Sequence, residues 1–178
     1  MVGSFQDKAV VDAGCGYHAA FARTLLSEAR ELTLVDVSLA PDLRHLAKVN
    51  AIEGALPTAL AGLRDESMDV VICNSVLEHL WTPADALHEF HRILRPGGVC
   101  FLNVPSWRGK TFLEFSAFRL GLSPVEEMND HKCYYDPRDL WPRLVRAGFL
   151  PRDIVCRHHK FRLNTFAVCR KAVGKAAG

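Results

Sequence analysis

The chain has 178 residues, of which 49% are hydrophobic, and its formal net charge at pH 7 is +2. This length suffices for one domain with a substantial core, and the small net charge opposes a dedicated nucleic-acid binder. No apolar run reaches the length of a membrane span, and residues 1–8 are too short and polar for a signal peptide. We therefore expect a single cytoplasmic domain over residues 1–178, with no nucleic-acid partner.

Apolar runs alternate with amphipathic segments along the whole chain. Strands are predicted at 9–13, 32–35, 51–53, 69–73, 99–104, 153–157 and 165–170. Helices are predicted at 19–29, at 41–49, from Pro83 after the capping residue Thr82 to the stop at Pro96-Gly97-Gly98, and at 137–147 before Gly148. Repeated β-α units of this kind indicate an α/β doubly wound, mostly parallel sheet with helices on both faces.

The first predicted strand runs into a glycine turn, Val-Val-Asp-Ala-Gly-Cys-Gly at 10–16. Gly14 and Gly16 permit a tight turn and a close approach of the backbone to a ligand, and Cys15 lies between them. Asp12 would repel the pyrophosphate of a dinucleotide, whereas it would attract the ammonium and sulfonium of S-adenosylmethionine. The turn therefore predicts a nucleoside-binding site in which a cationic ligand is favoured.

A second acid supports the same site. Asp36 ends the second apolar run twenty positions after Gly16, the separation at which an acid accepts hydrogen bonds from ribose hydroxyls. Val37 follows it directly. These two positions are predicted to hold the nucleoside end of the cofactor.

Four sequence blocks resemble the class I S-adenosylmethionine-dependent methyltransferases, in the order of that family. They are the turn at 10–16, Leu-Val-Asp at 34–36, Met-Asp-Val-Val-Ile-Cys-Asn-Ser-Val-Leu-Glu-His-Leu at 68–80 and Leu-Arg-Pro-Gly-Gly at 94–98. The resemblance implies seven strands with a last antiparallel strand, S-adenosyl-L-methionine as the cofactor, and Asn74 and Ser75 at the cofactor. It also implies N-terminal helices that this chain lacks, so a homodimer or another partner would complete the lid.

Two positions depart from the family pattern. His18 stands where a third glycine is common, which makes the loop bulkier. Ala55 stands where an acid often binds the adenine amino group. Adenine is then expected to contact backbone groups around Ala55 and Leu56.

Methyl transfer from an activated sulfonium requires alignment of donor and acceptor, and a base only where the acceptor holds a proton. His131 is the preferred candidate base and His79 the second, with a loop-stabilising role for His131 as the alternative. Glu78 adjoins His79, and neighbouring helical residues are expected to face apart.

No metal site is predicted. The six cysteines have no Cys-x-x-Cys spacing, which favours free thiols, and His88 and His91 lack a nearby third ligand. Phe112, Phe115 and Phe118 recur every three residues, which favours a helix packed on the sheet over a substrate cover.

The sequence therefore predicts an enzyme that methylates oxygen or nitrogen of a small molecule such as a sugar, a lipid or a quinone. Two alternatives stay open. A nicotinamide-dependent oxidoreductase would use Gly14, Gly16 and Ala19 as its glycine pattern, and a catalytically silent domain would bind S-adenosylmethionine without turnover.

Overall fold

A computed structural model describes residues 4–110 and 131–174. Seven strands form one sheet in the order β3-β2-β1-β4-β5-β7-β6. They are β1 (Ala9–Ala13), β2 (Glu31–Asp36), β3 (Val49–Glu53), β4 (Met68–Asn74), β5 (Leu94–Pro105), β6 (Ile154–His159) and β7 (Asn164–Arg170). The pairs among β1 to β5 are parallel, and β7 runs antiparallel to β5 and β6. The predicted fold, including the antiparallel last strand, is confirmed.

Three complete α-helices and four short 3₁₀ helices lie between the strands of the described residues, and residues 107–110 are also α-helical. The α-helices are α1 (Ala20–Arg23), α2 (Pro83–Ile93) and α3 (Pro137–Arg146). The 3₁₀ helices cover Pro41–His45, Thr58–Leu60, Leu77–His79 and Pro151–Asp153. No helix in these parts of the chain is long and apolar enough to cross a membrane.

Helices α2 and α3 pack on one face of the sheet. Leu87, Phe90 and Ile93 of α2 recur at helical spacing and are completely buried. Leu140 and Leu144 repeat this pattern on α3, which ends before Gly148 at φ +111°. Burial of these side chains, rather than terminal hydrogen bonds, dominates the stability of α2.

The cap predicted at Thr82 is only partly correct. Thr82 occupies the N-cap position and Pro83 the first helical position, but the Thr82 side chain makes no capping hydrogen bond. At α3, in contrast, Asp136 and Asp139 form a reciprocal capping box. The local sequence therefore placed the start of α2 correctly and its capping group incorrectly.

The predicted first helix at 19–29 is wrong in length. Only Ala20–Arg23 is α-helical, and residues 24–28 form turns. The Thr24 hydroxyl donates a 2.7 Å hydrogen bond to the Phe21 carbonyl, and the amides of Thr24 and Leu25 bond three residues back rather than four. This side-chain competition tightens the chain and ends the α-helix after one turn.

The predicted second helix at 41–49 is also wrong. Pro41–His45 is a 3₁₀ helix, and Val49 is already the first residue of β3. Leu43 is the one buried residue of the 3₁₀ segment, so there is no apolar face to stabilise a longer helix. The predicted phenylalanine helix around Phe112, Phe115 and Phe118 lies outside the described residues.

Parallel strands bring their carboxyl ends to the same edge. Asp12 and Asp36 lie at or near the ends of β1 and β2, and Asn74 and Asn103 lie at paired positions of β4 and β5. The 3₁₀ helix Leu77–His79 begins three residues after β4. Ligands of open α/β sheets bind at this carboxyl edge.

Candidate active site

The glycine turn is joined to β2 through its backbone. The amide of Gly14 donates a 2.7 Å hydrogen bond to the Val35 carbonyl. The amide of Gly16 donates a 2.7 Å bond to Oδ2 of Asp36, and the amide of Val37 donates a 2.8 Å bond to Oδ1. These contacts orient the Asp36 carboxylate, and its remaining lone pairs can still accept ribose hydroxyls.

The first helix contributes less to the candidate cofactor site than the sequence predicted. Helix α1 has one turn, and its N-cap residue Ala19 has φ +47° and no side-chain cap. The glycine turn and Asp36, rather than a helix terminus, therefore stay the predicted cofactor contacts on this side. Gly14 and Gly16 have φ +81° and +74°, a conformation that favours glycine.

A cavity of about 440 Å³ opens beside the turn. Its lining includes Asp12, Gly14 and Cys15 of the glycine turn, and Asn74 and Asn103 at the ends of β4 and β5. Its apolar part is formed by Phe5, Phe21, Ile72, Phe101 and Phe166, among others. The cavity thus combines polar residues of the glycine turn and of the strand ends with aromatic residues that include Phe101 of β5 and Phe166 of β7.

Asp12 is nearly completely buried, with 4% exposure. Burial and the nearby charge of Asp36 raise the pKa of Asp12 to about 7. A bound ammonium or sulfonium would restore the charged form, as expected from the sequence. Burial raises the pKa of Cys15 to about 12, so its thiol is neutral.

Asn74 and Asn103 form a pair across β4 and β5. Nδ2 of Asn103 donates a 3.0 Å hydrogen bond to Oδ1 of Asn74. Oδ1 of Asn103 is buried and has no hydrogen-bond partner in the described parts of the chain. Because an unpartnered buried carbonyl is costly, this atom is a candidate acceptor for a ligand N–H or O–H. Asn103 was not among the predicted cofactor contacts, although its place near the carboxyl end of the strand predicted at 99–104 was visible in the sequence.

Ser75 follows Asn74 in the chain and has φ +57°. Its amide donates a 2.8 Å hydrogen bond to the Asn103 carbonyl. Such strained non-glycine residues cluster at functional sites. Ala55 is exposed and Leu56 is half-buried. The preceding Gly54 amide bonds the Asp36 carbonyl at 2.8 Å, which places this loop beside the predicted ribose site.

Glu78, His79 and His131 converge at the same edge, and we call them the Glu-His-His cluster. One potential ligand atom from each residue lies within 4.8 Å of the others. The amides of Lys132 and Cys133 donate to the Glu78 carbonyl at 2.7 and 3.2 Å, which fixes the 131–136 loop against the 3₁₀ helix. Sequence spacing could not reveal this contact.

The electrostatics of the cluster centre on Glu78. Its side chain is 1% exposed, and Oε2 has no hydrogen-bond partner within the described residues. Burial raises the pKa of Glu78 to about 7. Nδ1 of His131 and the Tyr134 hydroxyl share a 3.0 Å hydrogen bond, and the rings of His79 and His131 are 4.7 Å apart.

The expectation that Glu78 and His79 face apart is wrong, because the 3₁₀ segment places both near His131. This cluster could supply ligands to a divalent cation as well as accept a proton. His91, in contrast, packs edge-on against Phe149 with ring centroids 5.0 Å apart, and His88 is exposed. All six cysteines are free thiols, as predicted.

Comparisons with known proteins agree with this geometry. A family model described as a methyltransferase domain matches residues 11–102, just over half of the chain. The ubiquinone biosynthesis O-methyltransferase of Klebsiella pneumoniae (strain 342) is 26% identical over 177 residues, covering 92% of this chain and 71% of that protein.

Two solved structures show the same fold. One is the complex between the Haloferax volcanii Trm112 methyltransferase activator and a methyltransferase, with a TM-score of 0.71, 15% identity and coverage of 94% of this chain and 84% of that chain. The other is an S-adenosylmethionine-dependent methyltransferase from Archaeoglobus fulgidus, with a TM-score of 0.69, 16% identity and coverage of 93% and 86%.

The chain belongs to the class I S-adenosylmethionine-dependent methyltransferases, and it is an enzyme whose cofactor is S-adenosylmethionine. The family therefore opposes both alternatives left open by the sequence, which were a nicotinamide-dependent oxidoreductase and a catalytically silent domain. The individual cofactor and catalytic residues stay predictions.

Proposed function

We propose that this enzyme transfers the methyl group of S-adenosylmethionine to a hydroxyl oxygen of a small molecule, with the Glu-His-His cluster accepting the proton. The observation that carries this proposal is the buried Glu78 carboxyl, whose pKa is raised to about 7 beside two histidines. A hydroxyl must lose its proton during methylation, and groups that titrate near neutral pH are suited to accept it. An amine acceptor would not require such a cluster.

In the proposed binding mode, Asp36 accepts hydrogen bonds from the ribose hydroxyls and Asp12 faces the cationic end of the cofactor. Asn74 and Ser75 are proposed to contact the cofactor. Val37, Ala55 and Leu56 surround the adenine. The buried Oδ1 of Asn103 is proposed to accept a hydrogen bond from the ligand.

The reaction is an in-line displacement. The acceptor oxygen forms a bond to the methyl carbon, the carbon–sulfur bond breaks, and its electron pair returns to sulfur to give a neutral thioether. The acceptor proton moves to His131, which the Tyr134 hydroxyl orients at 3.0 Å. Glu78, as a carboxylate, stabilises the resulting imidazolium. The apolar cavity wall limits water near the sulfonium.

The acceptor class is proposed from the relatives and the cavity. The printed name of the Klebsiella protein supports oxygen as the acceptor atom and favours a quinone-related ring over a sugar, a lipid or another metabolite. Phe101 and Phe166 stack with ring centroids 6.4 Å apart in the cavity wall, which suits a planar ring.

Methyl-transfer rates with ring hydroxyl, sugar hydroxyl and amine acceptors test the proposal. We expect turnover on a ring hydroxyl, and His131→Asn to lower kcat by roughly 100-fold with unchanged S-adenosylmethionine affinity. His79→Asn should do much less, and exposed His88→Asn is the matched control. Equal small effects of His131→Asn and His88→Asn would overturn the role of the cluster. Chelator treatment of the wild type distinguishes proton acceptance from metal assistance.

The oligomeric state is part of the same proposal. We infer that a second copy or another partner chain assembles with this enzyme, as the Trm112 activator does with the Haloferax volcanii methyltransferase. Light scattering during turnover, with and without S-adenosylmethionine, tests this. A fully active monomer at all protein concentrations would contradict it.

A further inference from the structure

The end of β6 and the turn that leads to β7, together residues 157–163, lie at the carboxyl edge of the sheet. Strand β7 is antiparallel to both neighbours, so β6 ends at the same edge as β5. This segment, which we call the β6–β7 tip, is therefore on the same side of the molecule as the candidate active site. The proposed methyl-transfer chemistry does not use it.

The tip has a strained and well-anchored backbone. Lys160, Phe161 and Arg162 have φ of 49°, 56° and 67°, a run of left-handed conformations that L-residues rarely adopt. Ser106, completely buried, donates a 2.6 Å hydrogen bond from Oγ to the Arg162 carbonyl. Its amide donates a 3.0 Å bond to the Leu163 carbonyl. These bonds fix the tip in its strained shape.

Gly109 adds a second constraint. A Cβ at this position would lie 2.1 Å from the Leu163 carbonyl oxygen, so only glycine permits the 107–110 segment to pack against the tip. The Gly109 amide also donates a 3.0 Å bond to Oγ of Ser106. Two residues of one chain segment, Ser106 and Gly109, thus maintain a conformation that the tip residues would not adopt alone.

The strained conformation exposes an aromatic side chain among cations. Phe161 is 93% exposed, the highest value among the large hydrophobic residues of the described chain. Arg157, Lys160 and Arg162 are exposed around it, and Arg108 is exposed on the adjoining segment. Neither 105–110 nor 157–164 contains an aspartate or a glutamate. The surface formed by these residues is basic and aromatic.

We propose that the β6–β7 tip docks this enzyme on an anionic lipid bilayer. Phe161 enters the interfacial region, and Lys160 and Arg162 contact the lipid phosphates. An exposed aromatic flanked by cations is the combination that binds such interfaces. A side chain that is 93% exposed can enter a planar interface, whereas nucleic-acid sites generally form a groove that follows the backbone. The binding is peripheral, and it places the candidate active site toward the membrane.

Co-sedimentation of the full chain with vesicles tests this proposal. One vesicle population is phosphatidylcholine with about one third phosphatidylglycerol, and the other is phosphatidylcholine alone. We expect pelleting with the anionic vesicles only. Lys160→Gln combined with Arg162→Gln should weaken binding roughly 25-fold, about fivefold for each cation. Phe161→Ser should weaken it roughly tenfold, because the apolar contact is lost.

Matched controls come from the opposite edge of the sheet. Val173 is 74% exposed after the end of β7, and Arg64 is exposed before β4. Val173→Ser and Arg64→Gln should bind vesicles as the wild type does. Thermal melts of all four variants separate a binding defect from unfolding.

The Phe161→Trp variant provides a direct readout, since the added fluorescence should shift to the blue on anionic vesicles. Wild-type protein that does not bind these vesicles would overturn the proposal, as would unchanged binding of Phe161→Ser. Heparin binding that the double charge variant removes, without vesicle binding, would assign the surface to a soluble polyanion instead. Each result is independent of the proposed methyl acceptor.

Discussion

The Gly16 amide donates a 2.7 Å hydrogen bond to Oδ2 of Asp36, twenty residues further along the chain. This bond connects the glycine turn after β1 to the acid at the end of β2. The Val37 amide binds the other carboxylate oxygen at 2.8 Å, so the acid is oriented before the cofactor arrives. Preorganisation of this kind reduces the entropy lost on binding.

Replacement of this acid tests the ribose site. Asp36→Ala should weaken S-adenosylmethionine binding by about 1.5 to 3 kcal/mol, because charge-assisted hydrogen bonds to the ribose are lost. Calorimetric titration measures the change. Asp65→Ala removes an exposed acid that pairs with Arg92 and is the control. Unchanged affinity of Asp36→Ala would exclude this position from the site.

The two glycines should respond differently to the same substitution. A Cβ on Gly14 would lie 2.1 Å from Cγ2 of Val76, whereas a Cβ on Gly16 would meet no atom within 4 Å. Gly14→Ala should therefore destabilise the fold by several kcal/mol. Gly16→Ala should cost only about 1 to 2 kcal/mol for its positive φ, yet still weaken cofactor binding.

Urea denaturation and cofactor titration of both variants check this prediction, and Gly62→Ala, at an open position, is the control. Only the structure reveals this difference. At Gly14 the expected loss of stability follows from close packing against Val76. Normal cofactor binding by Gly16→Ala would show that the ligand backbone contact lies elsewhere.

Cofactor affinity should depend on pH through Asp12. Its pKa in the free enzyme is about 7, so the carboxyl is largely neutral below that value and charged above it. A cationic ligand binds the charged form better, so affinity should rise with pH by up to about tenfold per unit between pH 5.5 and 7, then level off. Titration calorimetry across this range should give a flat profile for Asp12→Asn. A pH-dependent Asp12→Asn variant would contradict the assignment.

The free energy of unfolding of the cofactor-free enzyme should fall as pH rises, because of Glu78. Its folded-state pKa of about 7 exceeds the unfolded value of about 4.5, so the folded state binds the extra proton. The stabilisation of the folded state by this proton is fully present below pH 4.5 and is lost as pH rises through 7. Glu78→Gln should therefore gain stability relative to the wild type between pH 5 and 8, by at most about 3 kcal/mol.

Urea denaturation at pH 5.5 and 8 measures this difference between Glu78→Gln and the wild type. Glu28 is exposed, and Glu28→Gln is the matched control. A difference between Glu78→Gln and wild type that does not change with pH would mean that the Glu78 carboxyl titrates at its ordinary value in the folded enzyme.

The sequence by itself determined the strand order in the chain, the glycine turn and the acid Asp36. These features are local. Short stretches of residues encode the alternation of apolar runs, the positions of the glycines and the spacing between two strand ends. The start of α2 at Pro83 and the end of α3 before Gly148 were predictable for the same reason. Lengths were less certain, because hydrogen bonds such as that of Thr24 compete with the helix.

Tertiary structure alone decided which distant residues meet. Asn103 reaches Asn74 through the parallel register of β4 and β5, and the 131–136 loop reaches Glu78 through two backbone hydrogen bonds. The close packing of Gly14 against Val76 and the fixation of the β6–β7 tip by Ser106 are of the same kind. Contacts between residues far apart in sequence depend on the packing of the whole core, which no short pattern of residues encodes.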